Sequence, residues 1–308
     1  MNNIEQSGVD YNRTSLINRL TNPGATLEER LGISRYLFPS ERKAEMLRSA
    51  DKDSKGRPVK YFRLVTYKEL GRILESGSMN SANTPYLQEL FMQQAADIQK
   101  SLLQFLQDEG LLEFFEKDLH ELSDNFTLEN YRNFVQKKLP RIKLFKLHLS
   151  PNGGGGKFIG ITGLVSLSVG APYQPPSNPT GNRPGLPVIE MVVPSNEVHV
   201  HPLFKTMNIE MEKEVDTTDI KPEWVADVYI GMEDFAERFI KDQGSVLNPL
   251  YKEARAKGRL VIDYVGPRDT WDILQNWKRQ ESIAELIPID KLKDIDETNP
   301  DLQKPLLT

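Results

Sequence analysis

Chemistry in this chain would have to come from three small groups of residues. Arg63 stands inside an apolar stretch, Tyr61-Phe62-Arg63-Leu64-Val65. Ser166 and Ser168 are two apart near the end of a second apolar stretch. Glu212 and Glu214 are two apart where Ile209, Met211 and Val215 are apolar. On a strand, a spacing of two puts both serines on one face and both glutamates on one face. The guanidinium fork suits phosphate, and serine hydroxyls can orient a ribose or a carboxylate. A carboxylate set against a ribose stabilises the positive charge that develops as a glycosidic bond breaks through an oxocarbenium-like state. Two glutamates side by side also raise each other's pKa. Each group alone is ordinary sheet content: a snorkelling arginine, a solvated serine face, two surface glutamates.

Composition narrows the field from the other side. The 308 residues hold no cysteine, which excludes disulfides, thiolate metal sites, iron-sulfur clusters and a cysteine nucleophile. The four histidines, at 120, 148, 199 and 201, do not form the spacing of a helical zinc site. His199 and His201 would share one strand face but lack an evident third ligand, so no metal is expected. Gly153 to Gly156 with Lys157 fails as a phosphate loop, because Pro151 stands where that loop needs glycine and Phe158 where it needs Ser or Thr. The run reads as a connector. The net charge of -5 gives no reason to expect strong nonspecific binding to nucleic acid. No apolar run is long enough to span a membrane, and the N-terminus, MNNIEQSGVDYNRT, has no basic-then-apolar leader. The expected location is cytoplasm, either the producer's own or a host's reached by a route that needs no signal.

The elements that must position these residues follow from pattern. Residues 1–56 read as polar helices: 14–20, then 26–36 with Thr26 as N-cap, then 39–49. Val59 to Thr66 reads as a strand and Tyr67 to Glu75 as a short amphipathic helix. A helical insertion spans about 86–138, with Gly110 marking a break. Ile142 to Leu149 (IKLFKLHL) alternates and reads as a strand, as do 157–169, 188–193, 197–200, 209–215, 226–230 and 259–265. Residues 170–187 hold six prolines and form a long surface loop. Helices are expected near 232–241, 249–257 and 270–285, and the tail after Asp290 is expected to fray. Helices and strands segregated in this way argue for an α+β fold.

In this order, the motifs resemble the R-S-E class of mono-ADP-ribosyltransferases. They run as an arginine on a first strand followed by a helix KELGRILESG, then S-x-S, then E-x-E-V. The resemblance covers roughly residues 59–230. It implies a split β-sandwich core within a catalytic domain at 57–265, flanked by helices at 1–56 and by a helix and tail at 266–308. It implies NAD as substrate, with Arg63 near the diphosphate, Ser166 orienting the catalytic glutamate, Ser168 beside it, and Glu214 on the nicotinamide ribose. Glu212 would face the acceptor, and glutamate there usually accompanies transfer to arginine. Leu167 replaces the family's threonine between the serines, on the face turned away. Tyr173 and Arg183, in the proline-rich loop, would stack on nicotinamide and grip phosphate. Phe204 is the aromatic of a target-recognition loop at 201–209. The resemblance further implies a toxin or effector acting on a macromolecule, protein in preference to nucleic acid, away from membranes and paired with an antitoxin or immunity partner. Two alternatives stay open: an RNA- or DNA-modifying member of the same superfamily, and a non-enzymatic interaction protein built on the helices.

Overall fold

The computed structural model describes residues 12–76, 85–153, 157–158, 160–172, 185–200, 213–240, 281–295 and 298–307. Its centre is one antiparallel sheet of six strands in the order β4-β5-β2-β1-β3-β6. The strands are β1 (Tyr61–Leu64), β2 (Val165–Val169), β3 (Val188–Met191), β4 (His199–Val200), β5 (Glu214–Thr217) and β6 (Val225–Tyr229). Helices and an antiparallel sheet thus share one chain, as the α+β expectation has it.

Alternation along the strands divides the sheet into two unlike faces. Val165, Leu167, Val169, Ile189, Val215 and Val228 are buried in one core together with Leu16, Ile17 and Leu20 of α1 (Arg13–Thr21), Ile33 and Leu37 of α2 (Leu27–Leu37), and Leu70, Ile73 and Leu74 of α4 (Tyr67–Ser76). The side chain of Thr26 accepts from the amide of Glu29, and the Glu29 carboxylate accepts in return from the Thr26 amide, 3.1 Å away. This capping box starts α2 where the sequence places it. Helix α3 (Ser40–Ser49) follows after Pro39.

The second core lies in the helical insertion. It is formed by α5 (Pro85–Asp108), α6 (Glu116–Asp124), α7 (Leu128–Lys137) and α8 (Arg141–Leu149), with Phe158, Ile161 and Leu164 from the approach to β2. Gly110, at φ 68°, ends α5 as expected. Three sequence expectations are overturned here, and a fourth, the strand expected over 209–215, starts only at Glu214, after a turn at Lys213. Residues 142–149 form a helix rather than a strand, with Ile142, Leu144, Phe145, Leu147 and His148 all buried. A segment covered on most sides loses the one-sided helical stripe, and here its two lysines, spaced by three, mimic alternation. Residues 160–164 are turns, so the strand that follows is only Val165–Val169.

The third correction concerns the tail, which is docked rather than frayed. Leu302 is fully buried against Ile142, and the Arg141 amide donates to the Lys304 carbonyl at 2.7 Å. That amide is one of the first-turn donors a helix cannot satisfy internally, so the tail completes the start of α8. The predicted helix at 249–257 and strand at 259–265 lie outside the described residues, as does most of the helix at 270–285. Where that expected helix enters the described residues it is interrupted, because Ser282 is extended and caps a separate short helix, α10 (Ile283–Leu286). Before it comes α9 (Gly231–Phe235), which runs on as a π-turn through Ile240.

Candidate functional site

The face turned away from α1, α2 and α4 carries the polar residues. In the β2–β5 ladder Ser166 pairs with Asp216 and Ser168 with Glu214, so two hydroxyls oppose two carboxylates in register. Ser166 Oγ donates to Asp216 Oδ1 at 3.1 Å. Glu214 and Ser166 are half-buried, whereas Ser168 and Asp216 are buried. Each rung therefore joins one half-buried and one buried polar residue. Directly before Glu214, Lys213 takes φ 50°, a left-handed conformation uncommon outside glycine. Its carbonyl accepts from the Val169 amide at 2.8 Å, which fixes the point where the chain enters β5.

Arg63 arrives from the neighbouring strand by a break in regular pairing. β1 pairs with β3 through four residues but with β2 only through Tyr61–Val169 and Phe62–Ser168. Beyond that point the Ser166 carbonyl accepts from Arg63 Nη1 at 2.8 Å, so a side chain does what a ladder amide would otherwise do. The guanidinium Nε is enclosed without a hydrogen-bond partner. Burial lowers the Arg63 pKa, while the charges of Glu69, Glu214 and Asp216 oppose that fall. Arginine's intrinsic value is so high that the group stays charged. It is a fixed cation set between β1 and β2.

Three further residues belong to the site that motif reading did not single out. Asp216 is fully buried, and its Oδ2 has no hydrogen-bond partner among the described residues. Burial and the adjacent Glu214 push its carboxyl well above the usual range, against the pull of the Ser166 hydroxyl and Arg63. A signal existed: the alternation of Glu212 and Glu214 runs on to Asp216. The other two are His148 of α8 and Thr162. His148 Nδ1 lies 2.8 Å from Thr162 Oγ1, and its Nε2 lies 4.0 Å from Asp216 Oδ1. Burial, reinforced by Arg63, lowers the imidazole pKa to about 4, so the ring is neutral near pH 7. His199, across β4–β5 from Asp216, is likewise lowered to about 4 by burial and by Arg141 and Lys291.

Of the residues expected at the site, Arg63, Ser166, Ser168 and Glu214 come together on three adjacent strands. Glu212, Tyr173, Arg183 and Phe204 lie outside the described residues, as does His201. No group of three or more acidic or histidine side chains among the described residues is arranged to hold a metal. Among them, too, no helix is long and apolar enough to cross a membrane. Comparison with family models, with curated proteins and with solved structures finds no match for the chain. The site must therefore be read from its own chemistry.

Proposed function

We propose that the chain is an NAD-dependent mono-ADP-ribosyltransferase that moves ADP-ribose to a macromolecular acceptor and releases nicotinamide. The observation that carries this reading is the convergence of Arg63, Ser166, Ser168 and Glu214. They come from segments about 150 residues apart in sequence and meet on β1, β2 and β5 as a cation, a hydroxyl pair and a half-buried carboxylate. Arg63 offers a fixed positive charge, which suits an anionic diphosphate. Glu214, held opposite Ser168 and next to a buried second carboxyl, is placed to meet a developing cation at the sugar. Glu212, two residues earlier, serves the acceptor by orienting or deprotonating its nucleophile. A glutamate there favours a protein acceptor, arginine foremost, and suits a toxin or effector with a cognate inhibitor.

The test is incubation with labelled NAD and mass spectrometry of protein and nucleic-acid pools, comparing wild type with Glu214→Gln. Glu214→Gln should abolish nicotinamide release, by about a thousandfold or more, with an unchanged melting temperature. Glu212→Gln should depress transfer to an acceptor more than hydrolysis of NAD. A folded Glu214→Gln protein that still releases nicotinamide at the wild-type rate would overturn the assignment.

A further inference from the structure

The helical insertion reaches the candidate site through His148, and the interior around that side chain is organised to hold it still. From α7, Arg132 donates through Nε to the Ile161 carbonyl at 3.2 Å and through Nη2 to the Gly160 carbonyl at 2.6 Å. Gln136 Nε2 donates to the Thr162 carbonyl at 2.9 Å. Three successive carbonyls on the approach to β2 are thus bound by one helix. The Thr162 hydroxyl meets His148 Nδ1 from α8, and the other ring nitrogen faces Asp216, whose Oδ1 already takes the Ser166 hydroxyl. His148, Thr162 and Asp216 are all buried. The chain of groups therefore runs from the insertion to the serine without passing through solvent.

We infer that His148 is a positioning residue, through which the insertion fixes Asp216 beneath Ser166 and Glu214. With the ring pinned at Nδ1 by Thr162, its Nε2 presents a fixed polar edge to the Asp216 carboxyl. That carboxyl has one oxygen committed to Ser166 and one without a hydrogen-bond partner. Losing the polar edge lets the carboxyl swing, loosens the Ser166 hydroxyl, and shifts β5 under Glu214. This role rests on the transferase reading for its kinetic readout alone.

Two measurements test it. Kinetically, NAD cleavage is followed for His148→Phe, His148→Asn and His148→Gln in the full chain. His148→Phe should lower kcat about tenfold or more while KM for NAD is unchanged, since misplacement near the reacting centre weakens the transition state more than binding. His148→Gln, whose amide reaches the Nε2 position, should restore most of kcat. His148→Asn reproduces only the Nδ1 contact and should not. Wild-type kcat in the Phe variant, or Asn outperforming Gln, overturns the inference. Structurally, ¹⁵N-histidine labelling reads the His148 ring without any activity. Asp216→Asn should move its Nε2 resonance and Thr162→Val its Nδ1 resonance. A ring unmoved by Asp216→Asn overturns the inference even if the wild type proves unable to cleave NAD, an outcome that would instead count against the transferase reading.

Discussion

Asp216 shows how one residue can make stability and site chemistry oppose each other. Its carboxyl is fully enclosed, with Glu214 on one side, and is raised well above its ordinary value of 3.8. The folded state therefore holds this proton more tightly than the unfolded chain does. Its contribution is greatest at low pH and is lost as pH rises from about 3.8 through the folded value, at about 1.4 kcal/mol for each unit traversed. Asp216→Asn can still accept the Ser166 hydroxyl but has no proton to lose. It should match wild type near pH 4 and gain in melting temperature relative to it as pH rises; parallel melting-temperature profiles would contradict this. Ser166 and Glu214 are legible in the sequence because each sits in a short motif spaced by two, and Arg63 because it is the one charge in an apolar stretch. Asp216 is not, although it continues the alternation, because no chemistry is asked of a third carboxylate. His148 was hidden by a misread element, since a histidine in an alternating strand points to solvent as readily as to a site.

At the scale of elements, the turn at residues 160–164 does more than its length suggests. Its local pattern is that of the first half of a strand, but its form depends on side chains of α7, 24 or more residues earlier, which no local pattern reveals. Gly163 is the tight point. Its φ is 82°, and a Cβ there would lie 2.2 Å from Gln136 Nε2. Gly56 has a similar φ of 74° but nothing within 4 Å of the same position, so the two together separate backbone strain from crowding. Gly56→Ala should cost about 1 kcal/mol, the left-handed penalty alone. Gly163→Ala should cost more than about 2 kcal/mol by urea denaturation, because crowding adds to that penalty. The excess should shrink when Gln136→Ala is added; an excess that survives that second substitution would place the strain elsewhere. The helices at the N-terminus are legible for the opposite reason, since the capping box at Thr26 and Glu29 is entirely local.

On the scale of the whole molecule, the sheet has two halves that meet at β1. The candidate site occupies β1, β2 and β5, while β3 and β6 carry a buried ionic cluster that ties the N-terminal helices to the far edge. Lys43 of α3 lies 2.8 Å from Glu190 of β3, 3.2 Å from Asp227 and 2.7 Å from the Tyr229 hydroxyl of β6. Tyr229 donates to Glu190, and Arg238 joins Asp227 to Asp234 beyond the sheet. Glu190 is fully buried, yet Lys43 and Lys60 outweigh that burial and hold its pKa below the ordinary value of 4.5. Its contribution is thus complete above pH 4.5 and lost as pH falls through the lower folded value. Glu190→Gln leaves Lys43 and Lys60 enclosed with less countercharge and should cost about 3–5 kcal/mol at pH 7. That cost should narrow below pH 4.5, where wild type begins to lose the same charge. Adding Lys43→Met should recover part of the loss, because the pair then leaves together. Since Glu190, Asp227 and Tyr229 sit on β3 and β6 while Ser166 and Glu214 sit on β2 and β5, the surviving folded fraction of Glu190→Gln should keep the wild-type kcat for the proposed NAD cleavage. A fall in kcat matching the fall in stability would instead mean that the two halves of the sheet act as one body.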